Sequence, residues 1–339
     1  MALTQRRPPV EQVTVVVVTY RGASFLDDCL DGLAAQTMPH RLLVIDNAST
    51  DGSAALLARR LAPDQVLRLP ENAGFAGGVA AALSRVRTPW VALLNDDAVA
   101  EPDWLDRLLA AARHDPAAAA WTCMILTADG SRVASLGGGL TDLGYGYDQG
   151  EGLPAAPAPA GGDVFAFCGG AVLLRVAAVR AVGGFPAEYF LYYEDTDTSW
   201  RLRLAGWEIR LVPQARVRHR QGASSEPGSA AFHRWNERNR LRTLIRCAPA
   251  AVVLTALARF ALTTGKLALR RALRRPVPPG ANHDPGLRLG VIGRTVADLP
   301  LLLRRRGAVG QLARRSRAEV WATARRLSER NQGSADARS

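Results

Sequence analysis

The chain has 339 residues, 48% of them hydrophobic and 22% charged, with a formal net charge of +12. That composition allows one large globular domain or two and excludes a disordered or collagen-like chain. Cys29, Cys123, Cys168 and Cys247 stand far apart with no C-x-x-C pair, which excludes a zinc knuckle or a disulfide scaffold and suits a reducing compartment.

Residues 1–9 carry charge with no apolar stretch behind them, so no signal peptide is expected. No run reaches the roughly 18 uncharged apolar residues of a spanning helix, and a cytoplasmic protein is expected. Residues 13–18 form a β-branched run that predicts a buried strand ending at Thr19-Tyr20. Ser24 is placed to cap a helix over about 25–36. Residues 41–45 predict a second strand ending on Asp46-Asn47. A helix opened by Asp51 or Ser53 follows, and a third strand covers 65–69. Asn72 to Gly78 reads as a glycine-rich turn before a helix to about 85. Residues 90–94 predict a fourth strand ending on Asn95-Asp96-Asp97, and Pro102 opens a helix over about 102–113. Strands and helices that alternate at this spacing predict a parallel sheet with helices on both faces. Three polar clusters then fall at strand carboxyl ends, where open α/β sheets bind ligands.

Beyond residue 115, the Gly, Ala and Pro-rich stretch 153–162 reads as a surface loop. A strand over 165–174 is broken by Gly169-Gly170. Residues 189–206 read as a turn and a helix carrying Glu194, Asp195 and Asp197 among Tyr189, Phe190, Tyr192, Tyr193 and Trp200. His219 lies beyond a presumed strand end at Leu211-Val212. Residues 240–330 hold 20 Lys and Arg against 4 Asp and Glu, so this quarter carries +16 while the rest is mildly acidic. Residues 250–275 predict an amphipathic helix with Arg259, Lys266, Arg270 and Arg274 in one stripe. That stripe suits an anionic membrane surface; without interleaved aromatics it does not suit nucleic acid.

The candidate chemistry follows from residue type. Adjacent carboxylates repel unless a cation compensates, so Asp96 and Asp97 at a strand end suit Mg²⁺ or Mn²⁺, with His219 a third candidate. A carboxylate desolvated among aromatics has a raised pKa and suits a general base, as at Glu194 and Asp195. Asp46 and Asp51 offer acceptors to a nucleoside, although a plain turn and helix cap would also use them. Asn72 to Gly78 lets a ligand approach the backbone, but neither a G-x-G-x-x-G fingerprint nor a phosphate-binding loop with lysine exists.

Taken together, D-N-A-S-T-D-G at 46–52, E-N-A-G-F-A-G-G at 71–78, N-D-D at 95–97, F-L-Y-Y-E-D-T-D-T-S-W-R at 190–201, R-H at 218–219 and R-N at 238–239 resemble the family 2 glycosyltransferases. The pattern is most similar to the bacterial rhamnosyltransferase-like branch that builds cell-surface polysaccharides. The resemblance implies an α/β fold of GT-A type: a mixed, mostly parallel central sheet flanked by helices over 10–246. A basic helical membrane-associating extension over 247–330 and a disordered tail over 331–339 complete the expected organisation. It implies an inverting transferase that uses a nucleotide-sugar donor, dTDP-L-rhamnose first, and a lipid-linked or glycan acceptor. A UDP-sugar donor or a non-catalytic nucleotide-binding scaffold is the alternative. It implies that Thr19, Tyr20, Asp46, Asn47, Asp51, Asn72, Gly74, Gly78 and Asp96 bind the nucleotide sugar. Asp97 and His219 would hold the metal, Asp195 with Glu194 would act in catalysis, and Trp200 would line the acceptor site. Asn95 departs from the first D-x-D position. Arg234-Trp235 resembles part of the Q-x-x-R-W motif of processive enzymes, but Ala231 stands where glutamine should, which implies addition of one sugar.

Overall fold

The computed structural model describes residues 12–220 and 228–336. The first part alternates as expected: β1 (Val13–Thr19), α1 (Leu26–Ala34), β2 (Arg41–Asp46), α2 (Ser53–Arg60), β3 (Val66–Arg68), α3 (Gly74–Arg85), β4 (Trp90–Asn95), β5 (Ala98–Ala100) and α4 (Trp104–His114). Next come β6 (Ala118–Thr127), the short strands β7 (Val133–Ser135), β8 (Gly138–Leu140), β9 (Gly146–Asp148) and β10 (Gly162–Asp163), then β11 (Ala171–Arg175), α5 (Val176–Ala181), α6 (Glu194–Leu204) and β12 (Glu208–His219). The helices α7 (Ala230–Cys247), α8 (Ala250–Ala272), α9 (Pro285–Leu312) and α10 (Arg317–Asp336) follow.

β3, β2, β1 and β4 lie side by side and parallel. β11 joins antiparallel between β4 and β6, and β12 runs parallel to β6, so the sheet is mixed but mostly parallel. Every residue of β1 is buried, because helices cover both faces of the sheet. Its side chains alternate: Val13, Val15 and Val17 pack with Leu26, Leu30 and Trp104, whereas Val16 and Val18 pack with Val79 and Leu83. Register then aligns the strand ends. Thr19 stands opposite Asp46, Val18 opposite Asn95, and His219 opposite Ala98, next to Asp97.

Several local expectations are corrected. Ser24 does not cap α1; the helix begins after Phe25 without a side-chain cap. The glycine-rich turn is shorter than its composition implies, since α3 already starts at Gly74. Pro102 precedes α4 rather than opening it. β12 does not end at Val212 but continues through a bulge to His219, and β11 begins only at Ala171, after the glycine pair.

The basic quarter is not a separate body. Leu244, Ala256, Val309 and Val320 share one apolar cluster with Phe165 and Trp200, and Leu241, Phe260 and Val291 form another. The expected boundary at 246/247 therefore cuts the last turn of α7. α10 continues to Asp336, so most of the expected disordered tail is helical; residues 337–339, like residues 10–11 of the expected catalytic domain, lie outside the described residues.

Asp197 ties α6 to α7. Its carboxylate is fully buried and accepts from Arg201 Nε at 2.6 Å, Arg246 Nη1 at 2.7 Å and the Tyr189 hydroxyl at 3.2 Å. Burial alone would raise its pKa, but the two guanidiniums outweigh burial and hold it below the ordinary carboxylate range. Asp197→Asn leaves Arg201 without a carboxylate in the interior and Arg246 with only Glu188, 3.3 Å away, and is expected to destabilise the fold by about 3–5 kcal/mol at pH 7 in urea unfolding. Because the native pKa is depressed, the wild-type advantage is fully present above the unfolded value of about 3.9 and fades as pH falls below it. A deficit that stays constant down to pH 2 would argue against this assignment.

Candidate active site

A cavity of about 300 Å³ opens at the carboxyl edge of the sheet. Tyr20, Asn47, Asn72, Gly74, Asp96, Asp97, Glu194, Asp195 and His219 all line it, as the motifs imply, although they come from six separate stretches of chain.

The loops around it are held by specific bonds. Asn47 sits at the end of β2, where its amide donates to the Gly74 carbonyl at 3.0 Å and its Oδ1 accepts from Ala73 N–H at 2.8 Å. Asn72 Oδ1 accepts from Gly74 N–H, closing a tight turn. Gly74 has φ +70°, and a Cβ there would stand 2.2 Å from the Phe190 carbonyl oxygen, so glycine is required on both counts.

The acidic strand end has two characters. Burial raises the Asp96 carboxyl to about 6, and the Thr19 hydroxyl beside it pulls the other way. Asp97 Oδ1 lies 2.8 Å from His219 Nε2, and Asn95 Nδ2 lies 3.2 Å from the same nitrogen. If the nitrogen accepts from the Asn95 amide, it has no proton for Asp97, and two acceptors then face each other. A shared divalent cation resolves that conflict. Asp97 and His219 therefore fit such an ion, whose shell substrate oxygens would have to complete; among the described residues no group of three or more His, Cys, Asp or Glu could hold a metal. The imidazole suits Mn²⁺ better than the strictly oxygen-seeking Mg²⁺.

The second acidic pair begins α6. Asp195 Oδ2 accepts from Gly169 N–H at 3.1 Å, and its Oδ1 accepts from Thr196 N–H at 2.6 Å and the Thr196 hydroxyl at 3.1 Å. Burial raises its pKa, and these donors recover only part of the shift. Glu194 is pushed well above the ordinary range by burial and then by Asp195, and its Oε2 is buried without a partner. Burial disfavours the charged form of Glu194 more strongly than that of Asp195, so Asp195 is the better base of the two.

The preceding segment is strained. Phe190, Tyr192 and Tyr193 all have φ near +70°, an uncommon conformation for aromatic residues. Asn239 holds it: its buried amide nitrogen lies 3.0 Å from the Tyr189 carbonyl and 2.9 Å from those of Leu191 and Tyr192.

Other residues fall outside the cavity lining. Thr19 is buried behind Asp96. Asp46 accepts from Ser49 N–H at 2.9 Å and pairs with Arg68 at 2.9 Å, so it shapes the loop. Asp51 accepts from Ala23 N–H and from Ser53, the turn-forming role. Gly78 lets α3 approach β1, since a Cβ would stand 2.6 Å from Val18. Trp200 is corrected outright: it is fully buried, 5.5 Å from Phe165 and stacked 5.7 Å from Trp321 between ring centres, and cannot touch an acceptor. The motifs also overlook Phe75, Cys168 and the Gly169-Gly170 pair, which line the cavity. The glycine pair was visible, but as a strand break rather than as the donor to Asp195.

The sequence model of the family "Glycosyl transferase family 2" matches residues 14–177. The N-acetylglucosaminyl-diphospho-decaprenol L-rhamnosyltransferase of Mycobacterium tuberculosis is 32% identical over 253 residues, covering 65% of this chain and 81% of that protein. Among solved structures, GalNAc-T7 with UDP, GalNAc and Mn²⁺ superposes with a TM-score of 0.56 at 16% identity, over 72% of this chain and 49% of that one. A mannosyltransferase from Pyrobaculum calidifontis with GDP-Man and Mn²⁺ superposes at 0.50 and 19% identity, over 94% and 80%. At those identities the two structures speak for a shared GT-A fold. The mycobacterial relative and the family match carry the assignment further: this chain is a glycosyltransferase and belongs to glycosyl transferase family 2.

Proposed function

We propose that the protein transfers a single L-rhamnose from dTDP-L-rhamnose, with inversion, to a hydroxyl of a lipid-diphosphate-linked sugar during synthesis of a cell-envelope glycan. Asp195 carries the reading: a buried carboxylate, fixed by the Gly169 and Thr196 amides, in the same cavity as the Asp97–His219 pair. In-line displacement needs a base on the face opposite the leaving diphosphate. Asp195 takes the acceptor proton, and Glu194, whose charged form burial disfavours, stands beside it. Tyr20, Asn47, Asn72 and Gly74 border the nucleotide side, with Thr19, Asp46 and Asp51 supporting the loops behind them. A divalent cation at Asp97 and His219 would neutralise the leaving diphosphate. The mycobacterial relative's name supports both the donor sugar and the acceptor class. The test incubates the protein and Mn²⁺ with a prenyl-diphosphate-linked N-acetylglucosamine and labelled dTDP-L-rhamnose or UDP-galactofuranose. One added rhamnose is expected; use of the UDP-sugar alone would overturn the donor assignment.

A lipid-linked acceptor supports a position at the cytoplasmic face of a membrane. Of the large apolar side chains left exposed among the described residues, all but Tyr145 lie between Leu254 and Leu312. α8 is long and apolar enough to cross a membrane by length and composition, a property the uncharged-run criterion overlooked because Arg259 and Lys266 interrupt it. Yet one face of α8, with Ala256, Phe260, Thr264 and Leu267, is buried against the protein. The opposite face shows Leu254, Leu262, Leu269 and Leu273, with Arg259, Lys266 and Arg270 exposed along one side. A helix so arranged lies in the interface of an anionic bilayer rather than across it. Sedimentation with phosphatidylglycerol vesicles is expected to retain the protein. Release should increase with salt, and Leu262→Ser/Leu269→Ser should weaken retention at least about fivefold. Equal binding to neutral vesicles, or none to either, would remove the idea.

A further inference from the structure

A second cavity, of about 810 Å³, opens between α7 and α9, and Arg234, Arg238 and Arg294 border it. Arg234 and Arg238 are one helical turn apart on α7. The facing wall of α9 carries Gly286 and Gly290 one turn apart, with Arg294 on the turn after them; a side chain at Gly290 would find open space. The groove is therefore roomy and cationic.

Its charge is unbalanced. The half-buried Arg238 donates from Nε to Asn239 Oδ1 at 3.0 Å and from Nη2 to the Tyr189 carbonyl at 2.8 Å, and no carboxylate among the described residues pairs with it. Burial, with Arg242 and Arg294 close by, pulls its pKa down to about 10. Among the described residues Arg294 reaches only Asp298, at 3.2 Å, and Asp298 is shared with Arg242. The carboxylate that lines the groove, Asp284, is engaged in capping α9 through Leu287 N–H and in pairing with Arg271. A guanidinium drawn out of water without an anion is costly, and phosphate oxygens match its fork.

The groove adjoins the catalytic cavity. The Phe190 ring, which lines that cavity, packs 4.8 Å from the ring of Trp235, the neighbour of Arg234. Arg238 and Asn239 bond the carbonyls of this same segment.

We propose that the α7–α9 groove binds the diphosphate of the lipid-linked acceptor through Arg234, Arg238 and Arg294, next to the cavity that receives the acceptor sugar. The inference rests on the acceptor class proposed above. It gives the acceptor a continuous path: sugar at Asp195, diphosphate on the arginines, prenyl chain toward the exposed leucines of α8 and α9.

The test titrates farnesyl diphosphate into the full chain in metal-free buffer, so that the Asp97–His219 site contributes nothing. Arg238 also supports Tyr189, so the variant is Arg234→Gln/Arg294→Gln, both exposed residues, with Asp97→Asn as control. The expected result is at least about a tenfold rise in Kd for the double variant, none for the control, and weaker binding of inorganic pyrophosphate than of farnesyl diphosphate. Unchanged affinity in the double variant overturns the proposal. So does pyrophosphate binding as tightly as farnesyl diphosphate, which marks a free-phosphate site. Loss of phosphatidylglycerol vesicle binding alone marks a general lipid contact and also overturns it. If the wild type transfers no sugar to a prenyl-diphosphate-linked acceptor, the functional reading fails, while this titration still decides the groove.

Discussion

Asp195→Asn is expected to lower kcat by about 10³-fold, near the middle of the range for removal of a general base, while leaving donor affinity unchanged. The amide keeps the size of the carboxylate, and its single oxygen can still accept from Thr196, the shorter of the two contacts, while Gly169 N–H loses its acceptor. What is lost is the capacity to accept a proton. With Asp195 as the proposed base, its raised pKa is expected to set the acid limb of the wild-type rate profile. The base form accumulates as pH rises through that value, so activity falls on acidification sooner than an ordinary carboxylate near 3.9 would dictate. In Asp195→Asn that limb should disappear along with most of the rate. The measurement is kcat against pH for both proteins, with donor binding by calorimetry. A variant that keeps more than a tenth of wild-type kcat would move the base elsewhere, with Glu194 the next residue to test.

Much of this site is legible because parallel β/α alternation converts position in the chain into position in space. Thr19, Asp46 and the run Asn95–Asp97 are tens of residues apart, yet each stands at the end of a predicted strand, and strand register carries all of them to one edge. His219 required the true end of β12, which a bulge after Val212 concealed. Trp200 fails for a different reason. An aromatic seven residues beyond a strained loop looks like a sugar platform, but on α6 it faces Phe165 and Trp321, and Trp321 lies in a helix more than a hundred residues later. Burial by a distant element leaves no trace in local pattern. Asp46 and Asp51 show the converse: a turn was a sufficient explanation for them, and their hydrogen bonds are of that kind.

Asn239 is the residue whose importance the motifs understate, and its replacement carries the second large expected effect. R-N at 238–239 matches a family pattern, but no local property of a helix shows that one amide group will meet the carbonyls of Tyr189, Leu191 and Tyr192. Those carbonyls are fixed only while Phe190, Tyr192 and Tyr193 remain at positive φ, a conformation that costs on the order of 1–3 kcal/mol per residue. Asn239→Ala removes the clamp, leaves buried acceptors unsatisfied and lets the segment relax. The segment leads directly into Glu194 and Asp195, so the base moves with it. The expected result is a loss of about 10² in kcat from misplacement of the base, with a stability loss of about 2–3 kcal/mol by urea unfolding. Asn239→Asp separates clamp from bulk: it keeps the volume but offers acceptors where donors are needed, so it should be at least as impaired as alanine. If Asn239→Asp is near wild type, the carbonyl clamp is not what holds the loop. Donor affinity distinguishes positioning from general unfolding, because Tyr20, Asn47 and Asp97 lie on other elements and should still bind nucleotide in both variants.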